Sequence, residues 1–551
     1  MAKLDLGQAE FLFHSDALAD AKLQVFRFTG KESLSQPFEF TIELISEAPD
    51  LELQAPIGQP ACLTMRGRLA DGARYNRYVH GIVERFIQLS AGVRHSRYRA
   101  VLVPTIKPLH YTRNARIFQK QSAPDVTKKV LKDGQVPGDF VSSMLHGSYG
   151  ERDYCVQYNE SDLNFVQRLW EEEGIFYFFE QEKDKDKLTL GDGGHAFDSL
   201  AHYSEVRLRD QPHMYEEGLH ELHAENALQS GAAVMRDFKF KQPALDLEAS
   251  AEGDKFADRK MYYFPGEYVD PGVGKQLAKV RLEEHQCQRN RVRGTGNVRA
   301  MLPGYKFTLG GHRRDDLNQE YLIVAVEHEG TQPAALGEES SGVEKMAYQN
   351  RVECIPAKVA YRPPRQSARP SIPGVQTAVV VGPPGEEIHC DEHGRVKVKF
   401  HWDRDPGRDD NSSCWIRVSQ PWGGAGQGGP GQGGSSAGQG PGPWARPRLP
   451  SDRSALRRWL AKDPAIAVRV VEHRVATPGL LSDLAEHQAP LPQRRVLCID
   501  VVGIHHHALQ PAGLHRLEPG DERDRHALAG RCQLDPTHVR SHRRLAHELE
   551  S

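Results

Sequence analysis

QPFEFTIELIS, residues Gln36–Ser46, puts Phe38, Phe40, Ile42 and Leu44 on one face of an extended chain and Glu39, Thr41 and Glu43 on the other. A period of two marks a half-buried strand. RYVHGIVERFIQL (77–89) and RYRAVLVPTIKPL (97–109) follow as further β runs bounded by Gly and Pro, the punctuation of a barrel or sandwich. The fold class predicted is mainly β with a few short helices. No G-x-G-x-x-G follows a strand and no Walker lysine motif occurs, which disfavours a nucleotide enzyme.

Composition narrows the function classes. The chain has 551 residues, 38% of them apolar and 26% charged, with a net charge of -3 and a pI near 6.8. That balance gives no electrostatic reason to expect nucleic acid as a partner. The N-terminus MAKLDLGQAEFLFHSDALAD carries no basic segment ahead of an apolar run, and no stretch of eighteen apolar residues occurs. The expectation is synthesis in the cytoplasm, no integral membrane segment, and any exit by a route without a cleaved signal. Eight cysteines (Cys62, Cys155, Cys287, Cys354, Cys390, Cys414, Cys498, Cys532) stand singly, without C-x-x-C or zinc spacing, and read as free thiols.

Two helices interrupt the strands. SAPDVTKKVLKD (122–133) opens on a capping Ser122 and carries Val126, Val130 and Leu131 at helical spacing. In YCVQYNESDLNFVQRLWEEEGIFYFFE (154–180), Leu163, Val166, Leu169 and Trp170 form an apolar stripe, Asp162 favours the N-terminal end and Gly174 stops the helix. Glu171, Glu172 and Glu173 are adjacent and point in different directions, so they cannot converge on one bond; a solvated charge run is expected.

AYRPPRQSARPSIPGVQT (360–377) reads as an extended interdomain linker. Beyond it, Val396, Val398 and Phe400 alternate with Arg395, Lys397 and Lys399, and Cys414, Ile416 and Val418 with Trp415, Arg417 and Ser419, as barrel strands do. Asp403, Asp405, Asp409 and Asp410 match neither the spacing nor the terminal glutamate of a calcium loop and read as turn chemistry. His389, Cys390, His393 and His401 hold zinc-type donors, but strand alternation sends neighbours to opposite faces. No catalytic, cofactor or metal residue is assigned, no cofactor is expected, and the chain reads as a non-enzyme.

GVQTAVVVGPPGEEIHCDEHGRVKVKFHWDRDPGRDDNSSCWIRVSQPW (374–422) resembles the spike OB-fold of the VgrG family, the tip proteins of bacterial type VI secretion systems. RNARIFQKQSAPDVTKKVL (113–131) and the 154–180 stretch resemble the same family's base, similar to the hub of contractile-tailed phages; the resemblance covers about residues 5–429. It implies two related β-barrels, then a partial OB-fold barrel and a largely unpatterned tail. The implied boundaries are base 1–359, proline-rich linker 360–376, barrel 377–429, Gly-rich stretch 430–445 and tail 446–551. The implied function is mechanical: a homotrimer caps the tube of Hcp hexamers and punctures a target envelope. Trp402 and Trp415 then become packing or subunit-contact residues, and Glu386, Glu387, Asp391, His401 and Arg417 lie inside the family motif without a catalytic role.

After Gly429 the family pattern stops. The remaining residues contain no Phe, Tyr, Asn or Met and have 16 Arg to 1 Lys. Earlier aromatic usage would place about eleven Phe and Tyr there. The skew is that of GC-rich DNA read in an unselected frame, with the slip near Gly423–Gly440. The P-R-x-G-x-E-V and G-D-P-D patterns that precede the family's trimeric β-helix are missing, which implies a weakened trimer and doubtful contact with PAAR-type tip proteins and effectors. A C-terminal effector enzyme domain is the alternative. LLSDLAEH and DERDRHALAGRC have helical character, VRVVEHRV strand character, and consecutive His505, His506 and His507 cannot all face one metal.

Overall fold

The computed structural model describes residues 9–418, apart from 70, 93, 204, 210–216, 334–346, 373, 387–388, 406 and 408, together with the backbone of Ala465–Arg469 and Ile499–Asp500. Six antiparallel strands come first: β1 (Phe11–His14), β2 (Gln24–Ser33), β3 (Gln36–Ser46), β4 (Pro60–Arg68), β5 (Arg74–Ala91) and β6 (Ser96–Val103). They pair in the order β1-β4-β5-β6-β3-β2. Phe38, Phe40, Ile42 and Leu44 of β3 are buried, and Phe11, Phe28, Leu63, Val83 and Leu102 join them in one core. Buried Gln332 bridges the two ends of the run. Its Oε1 accepts from the Phe11 N–H at 3.1 Å and its Nε2 donates to the Val25 carbonyl at 3.2 Å. One amide thus supplies both a donor and an acceptor to backbone that no ladder satisfies.

From β2 the sheet continues antiparallel through Glu320–Thr331, Ala347–Pro356, Asn290–Gly296 and Leu219–Asn226. Tyr305–Gly310 also pairs with Glu320–Thr331, and a second core gathers Phe307, Leu309, Tyr321, Ile323, Val326 and Val352. Where the two runs meet, buried Glu32 accepts from Arg77 Nη2 at 2.6 Å and lies 2.8 Å from His328 Nε2. The other ring nitrogen of His328 is 2.7 Å from the Tyr348 hydroxyl. Such charges persist in a dry interior only when paired.

Helix α1 (Ala123–Asp133) is capped by Ser122, whose hydroxyl accepts from the Asp125 N–H at 3.3 Å, and buries Val126, Val130 and Leu131 as expected. Helix α2 (Asp162–Glu173) is capped by Ser161 and ends at Gly174, where φ is 74°. Only glycine takes that left-handed turn without steric cost. The Trp170 indole donates to Thr127 Oγ1 at 3.0 Å and ties the two helices together. A third helix, α3 (Pro271–Gln286), packs on a small sheet of Glu248–Glu252, Ala232–Arg236 and Lys260–Tyr263, an element the sequence reading did not identify. Among the described residues no helix is long and apolar enough to cross a membrane.

The last described part is a small β unit. Gln376–Val381 pairs with Lys397–Phe400, and Ala378, Val396, Val398, Phe400 and Ile416 form its core. Of the strand expected from Cys414 onward the described residues form a single bridge, Val396 to Ile416, with Ile416 buried and Cys414 and Val418 packed against the core as the alternation requires; Ser419 lies outside the described residues. The free edge of Gln376–Val381 is taken by Ala465–Arg469, which itself pairs with Ile499–Asp500. His505–His507 and the two helical candidates of the tail lie outside the described residues.

Candidate functional site at the 360–372 strap

Besides Phe240, which packs against His393, Arg395 and Arg417, two contacts hold the small β unit to the chain that precedes it. The first is a seat. Strands Arg113–Phe118 and Cys155–Ser161 pair with each other and supply Ile117, which packs against the small core, and Tyr158. Trp402 stacks on Phe400 with centroids 5.0 Å apart and meets the Tyr158 ring edge-on at 5.3 Å. Its indole donates to Gln376 Oε1 at 2.9 Å, and Gln376 Nε2 donates to the Tyr158 hydroxyl at 3.0 Å. Arg404 reaches Asn114 Oδ1 at 3.3 Å. Below the seat, buried Asp162 accepts from Arg116 at 2.8 Å, Thr112 at 2.7 Å and Gln157 at 2.7 Å. These bonds hold its carboxyl below the ordinary value although burial works the other way.

The second contact is a strap. Residues 360–372 have no regular secondary structure, yet they are bound along their length. Buried Tyr361 packs edge-on against Phe176 at 5.8 Å. Arg362 donates to Glu283 Oε2 and to the Gly174 carbonyl, each at 2.8 Å. The Arg365 N–H donates to Glu284 at 3.3 Å, the Ala368 carbonyl accepts from Asn164 at 2.9 Å, and Arg369 meets Glu172 at 3.0 Å and Glu267 at 2.7 Å. A stretch read from composition as a linker is therefore docked across α2 and α3.

The acidic end of α2 is the receptor for this strap, which corrects the expectation of a solvated run. Glu171 and Glu172 are buried, with 7% and 6% of their surface exposed. Glu171 accepts from the Gln366 N–H at 3.0 Å, the Ser367 N–H at 2.9 Å and the Ser367 hydroxyl at 2.7 Å. Burial pushes its carboxyl above the ordinary value in spite of them. Glu172 has three cationic neighbours, Arg152 at 2.5 Å, Arg168 at 3.2 Å and Arg369 at 3.0 Å. Burial opposes its charge, but Arg152, Arg369 and Arg168 hold its carboxyl well below the usual range. Buried Arg281 donates to the Glu171 carbonyl at 3.2 Å and to Glu284 at 2.7 Å, so α3 takes up the carbonyls left over at the end of α2. Glu173, by contrast, faces Arg152 at the rim.

The remaining candidates stay apart. Asp405 Oδ1 accepts from the Gly407 N–H at 2.9 Å and Asp409 Oδ1 from the Asn411 N–H at 2.9 Å, the turn chemistry read from the sequence, while Asp403 meets Lys399 at 2.6 Å. His389 lies 3.2 Å from Glu386, His393 beside Phe240, and His401 is exposed. Among the described residues no three His, Cys, Asp or Glu side chains are grouped to hold a metal ion. Trp415 packs on His389 and under Lys397, Arg417 lies over Phe240, Asp391 pairs with Arg395, and Glu387 is outside the described residues. The six described cysteines are free, four of them buried, and burial pushes the Cys155 thiol up to about 11. Arg168, Arg281 and Arg369 were missed, and the one local signal for the strap was its three arginines facing no acid nearby in sequence.

Residues 31–334 match the family described as phage tail baseplate hub (GPD). The chain is similar to the type VI secretion system spike proteins VgrG1b and VgrG1c of Pseudomonas aeruginosa. The identities are 41% over 74% of this chain and 54% of the relative, and 39% over 76% and 57%. It thus spans about half the length of these curated relatives. Among solved structures, an E. coli component of the type VI secretion system, described as similar to T4 bacteriophage tail proteins gp27 and gp5, shares the fold. Its TM-score is 0.55 at 21% identity, over 74% of this chain and 92% of that one. With more than half of its length matched to the hub family, the chain belongs to the phage tail baseplate hub (GPD) family.

Proposed function

We propose that the chain is a structural component of a type VI secretion spike, a homotrimer that caps the tube of Hcp hexamers and drives through a target envelope. On this reading 1–359 is the hub-like base, 360–376 the connector, 377–429 the spike barrel, 430–445 a Gly-rich stretch and 446–551 an aberrant tail. The work asked of it is mechanical and needs no bond chemistry; its relatives are spike and hub proteins. It leaves the cell through the apparatus itself. The observation that carries the reading is the hub-family match across 31–334, which takes in most of the large sheet. A strap and a seat that hold the barrel to the base suit a part that must pass force without bending.

The test is a chimera in which residues 1–422 are joined to the remainder of VgrG1b at the matching position, expressed in P. aeruginosa lacking its own spike proteins. Release of the tube protein into the medium, followed by immunoblot, is the expected result. A chimera that folds and trimerises but releases none sinks the reading.

A further inference from the structure

We propose that Glu171 is a latch: it fastens the 360–372 strap to α2, and its removal uncouples the small β unit from the base while both remain folded. Among the described residues every hydrogen bond to the Glu171 carboxylate comes from the strap, namely the Gln366 and Ser367 N–H groups and the Ser367 hydroxyl. Nothing on its own helix competes for it. Glu172, one residue on, keeps Arg152 and Arg168 whether or not the strap is present. The two carboxylates therefore differ in role: Glu172 locks α2 to its neighbours and adds one ionic contact to the strap, Arg369 at 3.0 Å, while Glu171 is given to the strap alone.

The rest of the hold is graded along the strap. Tyr361 is an apolar anchor at its start, packed on Phe176. From Arg362 to Arg369 the contacts are ionic or to backbone, and the outer ones are partly exposed: Arg365 to Glu284 at 3.5 Å and Arg369 to Glu267 at 2.7 Å. Pairs that water reaches are worth less than buried ones, and the better-shielded contacts of this stretch are Arg362 with Glu283 at 2.8 Å and Arg369 with Glu172 at 3.0 Å. The two N–H groups given to a buried carboxylate are charge-assisted and shielded from water, so they dominate. Without Glu171 the segment between Arg362 and the seat at Gln376 and Trp402 keeps its ionic contacts, chiefly Arg369 with Glu172, and the β unit is held by its seat and by the packing of His393, Arg395 and Arg417 on Phe240. The bearing of the latch on a spike rests on the function proposed above; its test is intramolecular and independent of secretion.

The strap carries its own reporter. Arg362 and Arg369 precede prolines, which trypsin does not cut, whereas Arg365 precedes Gln366. In the full-length chain the Arg365–Gln366 bond should resist trypsin, and Glu171→Ala should raise its cleavage rate about tenfold or more, the weight of a charge-assisted hydrogen bond. Amide exchange should accelerate at Gln366 and Ser367 and stay at the native rate in α2. Ser367→Pro, which removes the N–H and the hydroxyl from the strap side, should give the same result without touching the helix. Equal protection of the bond in both variants and the native chain overturns the latch. So does acceleration throughout α2 that matches the strap, since Glu171 would then be no more than part of the helix's fold.

Discussion

At the scale of single residues the structure is ruled by which buried charges have partners. Glu172 sits among three guanidinium groups, and Glu172→Gln should cost about 1.5–3 kcal/mol, because Arg152 and Arg168 would each lose one charged partner and keep one, Glu173 at 2.6 Å and Glu160 at 2.7 Å. The urea unfolding midpoint of the full-length chain reads this directly; a loss below 1 kcal/mol would mean that water reaches the cluster. The pH dependence has a definite sign. The folded carboxyl of Glu172 lies below its ordinary 4.5, so its stabilisation is present above that value and is lost as pH falls through the depressed one. His328 behaves in the same direction for another reason. Burial lowers it below 6.5 against the pull of Glu32, so the seam between the two cores should weaken as pH falls under 6.5. His328→Gln should flatten the urea midpoint between pH 7 and 5, while an unchanged slope would assign the loss to other groups. The apolar face of β3 was legible because its signal is local, a period of two within eleven residues. The burial of Glu171 was not: its donors lie 195 and 196 residues further along the chain, and a row of three glutamates looks the same whether water or a strap covers it.

At the scale of elements, local punctuation decided what was readable. Helices α1 and α2 announce themselves through Ser122, Ser161 and Gly174, residues whose side chains or dihedral freedom terminate helices. Helix α3 hides, because its first turn carries Gly272 and Gly274 and its buried face includes Arg281 and Glu284 in place of apolar residues. The second glycine has a packing reason. A methyl group at Gly274 would stand 2.3 Å from the buried Tyr268 ring, whose hydroxyl is tied to the Met235 carbonyl at 3.0 Å. Gly274→Ala should therefore destabilise by about 1–3 kcal/mol although alanine is the better helix former. The predicted signature is faster amide exchange in Ala232–Arg236 and Glu248–Glu252 with β1–β6 unaffected; a stabilised variant would show that Tyr268 has room to move. The strap makes the same point from the other side. Proline and arginine content describes its backbone well and says nothing about the receptor it lies on.

At the scale of the whole molecule the question is what the chain can assemble into. The strap and the seat predict that limited trypsin digestion leaves the base and the small β unit in one fragment, with Arg365–Gln366 intact, and not a fragment that ends in the proline-rich stretch. Assembly is a separate matter. The family resemblance implies a trimer held by the base and by a β-helix that follows the barrel, and the residues after Gly429 carry none of the patterns that lead into one. The small β unit instead has the free edge of Gln376–Val381 covered by Ala465–Arg469, a segment from the part of the chain with 16 Arg to 1 Lys. A strand borrowed in this way can hide an edge from other chains, but four paired residues cannot weld three chains together. The 551-residue chain should accordingly run as a monomer or a weak oligomer whose mass falls on dilution when followed by light scattering. Replacing the tail with the matching region of VgrG1b should give a mass of three chains that survives dilution. Deleting residues 441–551 should bare the Gln376–Val381 edge and produce aggregates. A stable trimer of the unaltered chain at submicromolar concentration would mean that the base alone supplies the contacts, and the tail would then have no consequence for assembly.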